Sequence, residues 1–465
     1  MPEETPQEIY DAVILGTGVK ESILAGLLSA AGAKILQMDA SSVYGSSSRT
    51  IQYEDFIREM QAKFPHQKQF KSVFGEKEAS KLYIDLTPKI FLADEGLIKI
   101  IAEHNLAHCI EFSIISEQYI VKEDSSSILI PTTKTSALTS NLCGPLQLLK
   151  LHKFVNMIKG FYNATDIEKK AISSQWRSVQ DLYDYYGISE SLRTIIGHGI
   201  ALYTSSKYLQ EEPAGFIMRL TTYFRSVSRI NGEKQSGNSP FLYPKYGISE
   251  ISQGFARLSA VKGGITRMST EITGMERREA GYLLSLRADG VDDYVHTNFI
   301  IANDQYYATI PNSRRRVLRT ARGVFILRSL PDAKSKQAML LSKTLHSDIF
   351  LLVVGEAEEV CPSGYSIAYI TAEYNGSEES AAQAHSSADP TEMLREIAAP
   401  AINQLYAWKY SIMQQFLWIE EAAEGLDTLD PLVTPLKPMD NTVDFRTVLE
   451  EVQSVYETFT RNTAV

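Results

Sequence analysis

One run of the chain has residue types whose spacing could do chemistry: Gly16-Thr17-Gly18-Val19-Lys20-Glu21, with Asp39 downstream. A glycine turn between a strand and a helix is suited to pyrophosphate. The first glycine permits the turn, the second lets the backbone approach phosphate, the third lets the helix pack closely, and a later acid takes the ribose hydroxyls. Gly16, Gly18 and Asp39 meet three of these needs. Glu21 stands where the third glycine belongs, and its carboxylate would satisfy the helix N-terminus itself and repel a phosphate. The expectation is a scaffold turn that holds no cofactor, with a bound FAD as the competing reading. No other catalytic constellation stands out. The eight histidines are scattered, without H-E-x-x-H, and there is no G-x-S-x-G. Cys109, Cys143 and Cys361 form no C-x-x-C pair, so neither a zinc ribbon nor a dithiol redox site is indicated, and no metal is expected.

The elements that must position this turn are legible around it. Tyr10 to Leu15 (YDAVIL) is a short apolar run of strand formers. Lys20 to Ala31 has Ile23, Leu24, Leu27 and Leu28 at helical spacing, and Gly32 stands where a helix C-terminal glycine belongs. Lys34 to Met38 (KILQM) reads as a second strand. This is a βαβ start of dinucleotide-fold type. From Ser136 to Ile230 the pattern turns helical, with helices predicted over Ser136–Leu149, Lys153–Asn163, Ser178–Tyr185, Glu190–Leu202 and Ala214–Arg229. Asn231 to Ser239 (NGEKQSGNS) is a polar loop. Strands return near Ile272, Tyr282–Arg287 and Asn298–Ala302, with Asp289-Gly290 as a hairpin turn. Others are expected at Gly323–Arg328, Ile349–Val354 and Ser366–Thr371. Glu373 to Asp389 reads as a loop, and Pro390–Ala407 and Asp444–Thr460 as helices. The fold class is therefore α/β (α+β) with an inserted all-helical domain.

Composition sets the outer limits. A chain of 465 residues suggests two or three domains, and 44% hydrophobic with 22% charged residues is usual for a folded soluble protein. A net charge of -10 makes nucleic acid a poor partner. The opening MPEETPQE is the reverse of a signal peptide, the ending RNTAV has no cysteine for prenylation, and no apolar run approaches a bilayer span. A cytosolic location is expected.

Two longer blocks carry a family resemblance. The opening YDAVILGTGVKESILAGLLSAAGAKILQMDASSVYG resembles the start of Rab GDP dissociation inhibitors and Rab escort proteins. The segment Ser239 to Gly264 (SPFLYPKYGISEISQGFARLSAVKGG) resembles the central signature of the same family. Shorter echoes are Asp85–Ala93, Ile130–Leu142, Gly197–Leu209 and Asp440–Tyr456, all in order. The resemblance is weakest from about Thr320 to Asp430. It implies an FAD-monooxygenase-like domain without flavin, whose turn likewise reads GTG followed by a glutamate. Escort proteins are longer, with an insertion this chain lacks, so the inhibitor is the expected branch. Escort protein and flavin oxidoreductase are the alternatives.

The resemblance also implies a role and residues. A non-enzymatic inhibitor would hold prenylated, GDP-bound Rab GTPases, block GDP release, shelter the geranylgeranyl lipid and touch membranes transiently, as a monomer. The family's Rab-binding platform maps onto Tyr44, Gly45, Glu250, Gln253 and Arg257, with Arg229 in the loop before the second block. The domains expected are 1–120 with 231–465 for the platform and 121–230 for the lipid. In the latter, Leu138, Leu142, Leu146, Leu149, Phe154, Met157, Ile158 and Phe161 form an apolar stripe at helical spacing. Three departures stand out. Arg267 falls where the family commonly has methionine. The 231–239 loop is longer than usual. Gly144-Pro145-Leu146-Gln147-Leu148-Leu149 replaces an expected basic stretch.

Overall fold

The computed structural model describes residues 9–65, 71–133, 136, 144–232, 239–306, 315–330, 332–342, 347–374, 390–425 and 430–463. Strand Ile9–Leu15 lies in the middle of the first sheet, paired in parallel with Ile35–Met38 on one side and Val291–Ala302 on the other. Its register sets Ala12 opposite both Ile35 and Phe299. Ala12 and Ile14 enter one core, Val13 and Leu15 another, so this strand is buried on both faces and reads as an unbroken apolar run. Ile265–Arg267 extends the sheet beyond Ile35–Met38. On the far side a hairpin meander, Thr270–Arg277 and Tyr282–Ala288, extends Val291–Ala302. Asp289 and Gly290 make the predicted turn, both with positive φ (50° and 77°), as a tight two-residue hairpin requires.

The second sheet runs in the order Ser411–Gly425, Arg315–Arg328, Tyr365–Glu373, Ile349–Val354, Lys336–Leu340, Glu117–Val121, Ser127–Leu129. It is antiparallel except where Lys336–Leu340 meets Glu117–Val121. One face joins the main core, with Val324, Ile326, Phe350, Tyr369, Phe416 and Trp418 packed in the cluster that also holds Ile14 and Ile23. The other face packs under the helix Pro390–Ala407. The strands Glu117–Val121 and Ser127–Leu129 belong to this sheet, so the helices begin later than residue 121.

The helical segment has its own core, built on Phe154, Tyr183, Leu192, Phe216 and Leu220. Residues 137–143 of the predicted helix Ser136–Leu149, and with them Leu138 and Leu142, lie outside the described residues. The remainder merges with Lys153–Asn163 into one helix, Pro145–Asn163, with proline at its first position. The expected break does not occur because Lys150 to Lys153 contains no glycine or proline to make it. The apolar stripe divides: Phe154, Ile158 and Phe161 are buried, whereas Leu146 and Leu149 are 67% and 64% exposed. The predicted helix Glu190–Leu202 is α-helical only to Thr194. It continues as a π-turn, Ile195–Ile200, and ends at Leu202 with φ 59°. Most of the 231–239 and 373–389 loops lies outside the described residues. Among the described residues no helix is long and apolar enough to cross a membrane.

Candidate functional site

The glycine turn delivers the helix Val19–Ala30 to the loop after Asp39, as a dinucleotide fold would. Gly16 adopts φ 111°, and a side chain there would strike Asn303, 2.2 Å from its Nδ2. What occupies the turn is the chain itself. A Cβ on Gly18 would lie 2.5 Å from Glu21 Oε2, so the space that this glycine opens is taken by the glutamate. Asp39, 2% exposed, has its carboxylate filled: Oδ2 accepts from Thr17 N–H (3.0 Å), Thr17 Oγ1 (2.6 Å) and Ser46 Oγ (2.8 Å), and Oδ1 accepts from Ser41 N–H (2.9 Å). Ser48 Oγ takes the Val19 N–H at 3.0 Å. Lys20 is committed to Glu451. The fold implies a flavin, and these residues do not fit one. The helix N-terminus and the ribose-binding acid are both spent on internal bonds.

Burial pushes Glu21 up to about 7, from 4.5, and its own backbone N–H and Lys20 offset this only in part. A carboxyl whose folded value is raised holds its proton longer in the folded state than in the unfolded one. Stability is then lost as pH rises from about 4.5 to about 7. Glu21→Gln should remove that loss, raising stability at pH 8 by up to about 3 kcal/mol while changing little at pH 4. Urea unfolding at the two pH values checks this. An equal midpoint for variant and wild type at pH 8 counts against it.

The donors of the closed turn also position the first sequence block. Gly45 N–H donates to the Thr17 carbonyl and to Thr17 Oγ1, both at 3.1 Å, and Ser46 and Ser48 reach into the turn. Gly45 has φ 106°, and a Cβ there would sit 2.4 Å from Arg49 Cβ, so only glycine makes this bend. Tyr44, half-buried, immediately precedes this bend.

The second block is tied to the same loop. Thr50 N–H donates to Ser249 Oγ at 2.6 Å, and Ser249 N–H donates to Thr50 Oγ1 at 3.0 Å. Asp85 joins them, accepting from Thr50 Oγ1 and from the Ile248 N–H; burial pushes its carboxyl up to about 6. The helix Ser249–Val261 then packs alongside the first helix, Gly26 against Phe255 and Ser29 against Ser259, with Ile251, Phe255 and Leu258 in the core. Glu250, Gln253 and Arg257 follow at i, i+3 and i+7, one face of the helix. Gln253 and Arg257 are exposed and Glu250 half-buried. Among the described residues no ion pair joins Glu250 to Arg257, and the side chains of Tyr44, Glu250, Gln253 and Arg257 are unspent within the chain. Burial raises the Glu250 carboxyl above its ordinary value.

Arg229 lies on a different helix, Pro213–Asn231, and is half exposed. It stands 3.6 Å from Asp94, which also pairs with Arg225 at 2.8 Å and Lys99 at 3.4 Å. Arg225 in turn lies 4.2 Å over the Tyr162 ring of the Pro145–Asn163 helix. Sequence reading misses Thr50, Asp85, Asp94 and Ser249, which hold the candidate residues in place. Asp85 lies inside one of the quoted blocks, but nothing in its type or spacing marks it as a joint. Arg267, the departure noted above, pairs with Asp293 of strand Val291–Ala302 at 2.7 Å.

The site is thus a self-filled nucleotide turn on a two-sheet frame, with a polar helix face tied to the same loop. Comparison with known proteins places this frame in a family. The family model described as GDP dissociation inhibitor matches residues 3–464. A Rab GDP-dissociation inhibitor of Saccharomyces cerevisiae is 28% identical over 381 residues, covering 80% of this chain and 81% of the relative. Guanosine nucleotide diphosphate dissociation inhibitor 2 of Arabidopsis thaliana is 28% identical, covering 78% and 80%. Among solved structures, a Rab GDI of Plasmodium falciparum superimposes with a TM-score of 0.77 at 22% identity, over 97% of this chain and 98% of that one. An oxidoreductase of Methanosarcina mazei gives 0.57 at 11% identity, over 96% and 99%, which reflects the shared frame. The chain belongs to the GDP dissociation inhibitor family.

Proposed function

We propose that this protein is a Rab GDP dissociation inhibitor: a monomeric, non-enzymatic carrier, working in the cytosol with transient membrane contact, that holds prenylated Rab GTPases in the GDP form. The observation that carries the reading is the face made by Glu250, Gln253 and Arg257. Three polar side chains are held on one helix whose start is tied to the Thr50 loop that follows Tyr44, with no partner spent among the described residues. Fixed, unpaired charge and an aromatic anchor suit a protein partner, because little ordering remains to be done on binding. Gly45 sets the Tyr44 loop, and Arg229 reaches the same GTPase from its own helix. The two-sheet frame, which takes in the strands up to Leu129, carries the platform, and the helices between Pro145 and Asn231 shelter the geranylgeranyl chain. Exposed Leu146 and Leu149 support that second role, since they present apolar surface at the start of the helix Pro145–Asn163.

Titration of Tyr44→Ala and Arg257→Ala with a GDP-loaded, prenylated Rab tests the platform. Each should bind about thirtyfold more weakly, as truncating an interface anchor costs roughly 2 kcal/mol. Both lie outside the core, so circular dichroism should be unchanged. Wild-type affinity in both variants would overturn the assignment.

A further inference from the structure

Three cations converge on one carboxylate where the helical segment meets the two-sheet frame. Asp94, 10% exposed, lies 2.8 Å from Arg225 Nε, 3.4 Å from Lys99 Nζ and 3.6 Å from Arg229 Nη1. Its backbone N–H donates to Ser226 Oγ at 2.9 Å, which ties it to the helix Pro213–Asn231 that carries both arginines. Arg225 is held on a second side by the Tyr162 ring. Lys99 comes from another helix, Gly96–Glu103. Among the described residues no other carboxylate pairs with any of the three. The cluster therefore keeps a surplus of positive charge on a chain whose net charge is -10. Lys99 and Arg229 are 44% and 50% exposed, so that surplus faces solvent.

Guanidinium and ammonium groups in surplus, with one guanidinium fixed in place, take an oxyanion, either carboxylate or phosphate. Two placements favour the carboxylates of a protein. First, the helix Gly96–Glu103 leads through the turn Leu106–His108 to Cys109 and Ile110, and Ile110 packs on the platform helix. A Cβ on Gly254 would lie 2.5 Å from Ile110 Cδ1. Gly254 follows Glu250 by four positions and precedes Arg257 by three, so it borders their polar face. One short run of chain thus connects the cluster to the platform. Second, the cluster is remote from the apolar surface given above to lipid. Tyr162, which holds Arg225, is thirteen positions from Leu149 on the helix Pro145–Asn163. At 1.5 Å per residue that is about 20 Å.

We infer that Lys99, Arg225 and Arg229 form a second contact for the bound GTPase, one that takes an acidic segment of that protein, with Asp94 as the internal anion that spaces the three cations. This rests on the GTPase reading above and extends it from one arginine to a three-cation site. Charge pairs of this exposure are modest singly and are screened by salt. In the double variant Lys99→Gln, Arg229→Gln, a GDP-loaded, prenylated Rab should bind about tenfold more weakly at about 0.05 M salt. At about 1 M salt, where the screening length is about 3 Å, the difference should fall below about twofold. Asp94→Asn should act in the opposite direction at low salt, tightening binding about threefold, because it removes the competing negative charge. A cluster with only a structural role would lose affinity in both variants. Should Asp94→Asn fail to fold by circular dichroism, the salt dependence of the double variant decides alone. Phosphatidylserine vesicles, offered without the GTPase, should not distinguish the double variant from wild type. Unchanged GTPase affinity in the double variant, weaker binding by folded Asp94→Asn, or a loss confined to the vesicles would overturn the proposal. Tyr44→Ala measured alongside separates this inference from the reading it rests on. A loss there with none in the double variant removes the second contact alone, whereas a wild-type chain that binds no GTPase removes both.

Discussion

Replacing Lys89 by alanine should lower the stability of the chain by about 3 kcal/mol, since it removes a buried cation and its charge-assisted hydrogen bonds while the partner Asp440, 38% exposed, keeps access to water. Lys89 is 2% exposed. Its ammonium donates to Asp440 Oδ1 at 2.7 Å, to Thr442 Oγ1 at 2.9 Å and to the Thr442 and Asp444 carbonyls. The lysine thus ties the segment before the last helix to the strand Phe91–Leu92, whose Phe91 stacks on Phe445 at 4.0 Å. Burial holds the Lys89 ammonium below its ordinary value. The Asp440 carboxyl, partly exposed, is held well below the carboxylate range by Lys89 and Thr442. A depressed carboxyl contributes stability that is present above its unfolded value, about 4, and is lost as pH falls through the folded one. Lys89→Ala should therefore lose most at neutral pH and less in strong acid. Urea unfolding at pH 7 and pH 3 checks both parts; an equal loss at the two pH values would remove Asp440 from the account.

How much of this is legible in sequence follows from what each residue's partners are. The strand–turn–helix start is readable because Tyr10–Leu15, Gly16, Gly18 and the Ile23–Leu28 spacing are local signals. The closing of that turn is readable in part: Glu21 marks it by type. The saturation of Asp39 by Thr17, Ser41 and Ser46 depends on a loop fold that no periodicity reports. The face of Glu250, Gln253 and Arg257 follows from helical spacing. Its attachment to Tyr44 through Thr50, Ser249 and Asp85 spans up to about 200 positions of chain and has no local signature. The long strand Ser411–Gly425 is missed because its apolar and polar residues alternate only in part, and its stability comes from pairing along its whole length with Arg315–Arg328. The split of the Pro145–Asn163 stripe fails for a related reason. Periodicity gives a face, but the helices Val179–Tyr186 and Pro213–Asn231 cover only its later turns, where Phe154 meets Tyr183 and Phe216.

That uncovered first turn leads to the second large effect. A prenylated Rab should bind at least about a hundredfold more tightly than the same Rab without lipid. Each buried methylene is worth ~0.8 kcal/mol, so sheltering only four of them gives roughly 3 kcal/mol, or about a hundredfold in affinity. The proposed shelter is the helical segment, whose interior is aromatic and adaptable: Phe154, Tyr183, Tyr203, Tyr208 and Phe216 stand with ring centroids 4.4 to 6.5 Å apart. Leu146 and Leu149, exposed to solvent among the described residues, present the apolar approach to it. The double variant Leu146→Ser, Leu149→Ser should therefore lose much of the lipid-dependent gain while keeping the affinity for unprenylated Rab, because neither residue touches the Tyr44 and Arg257 face. Arg257→Ala should do the reverse, weakening both forms by a similar factor. Titrations of prenylated and unprenylated Rab against the three proteins separate the two contributions. Equal affinities for the two Rab forms in the wild type would remove the lipid from the proposed function and leave a carrier of the GTPase surface alone.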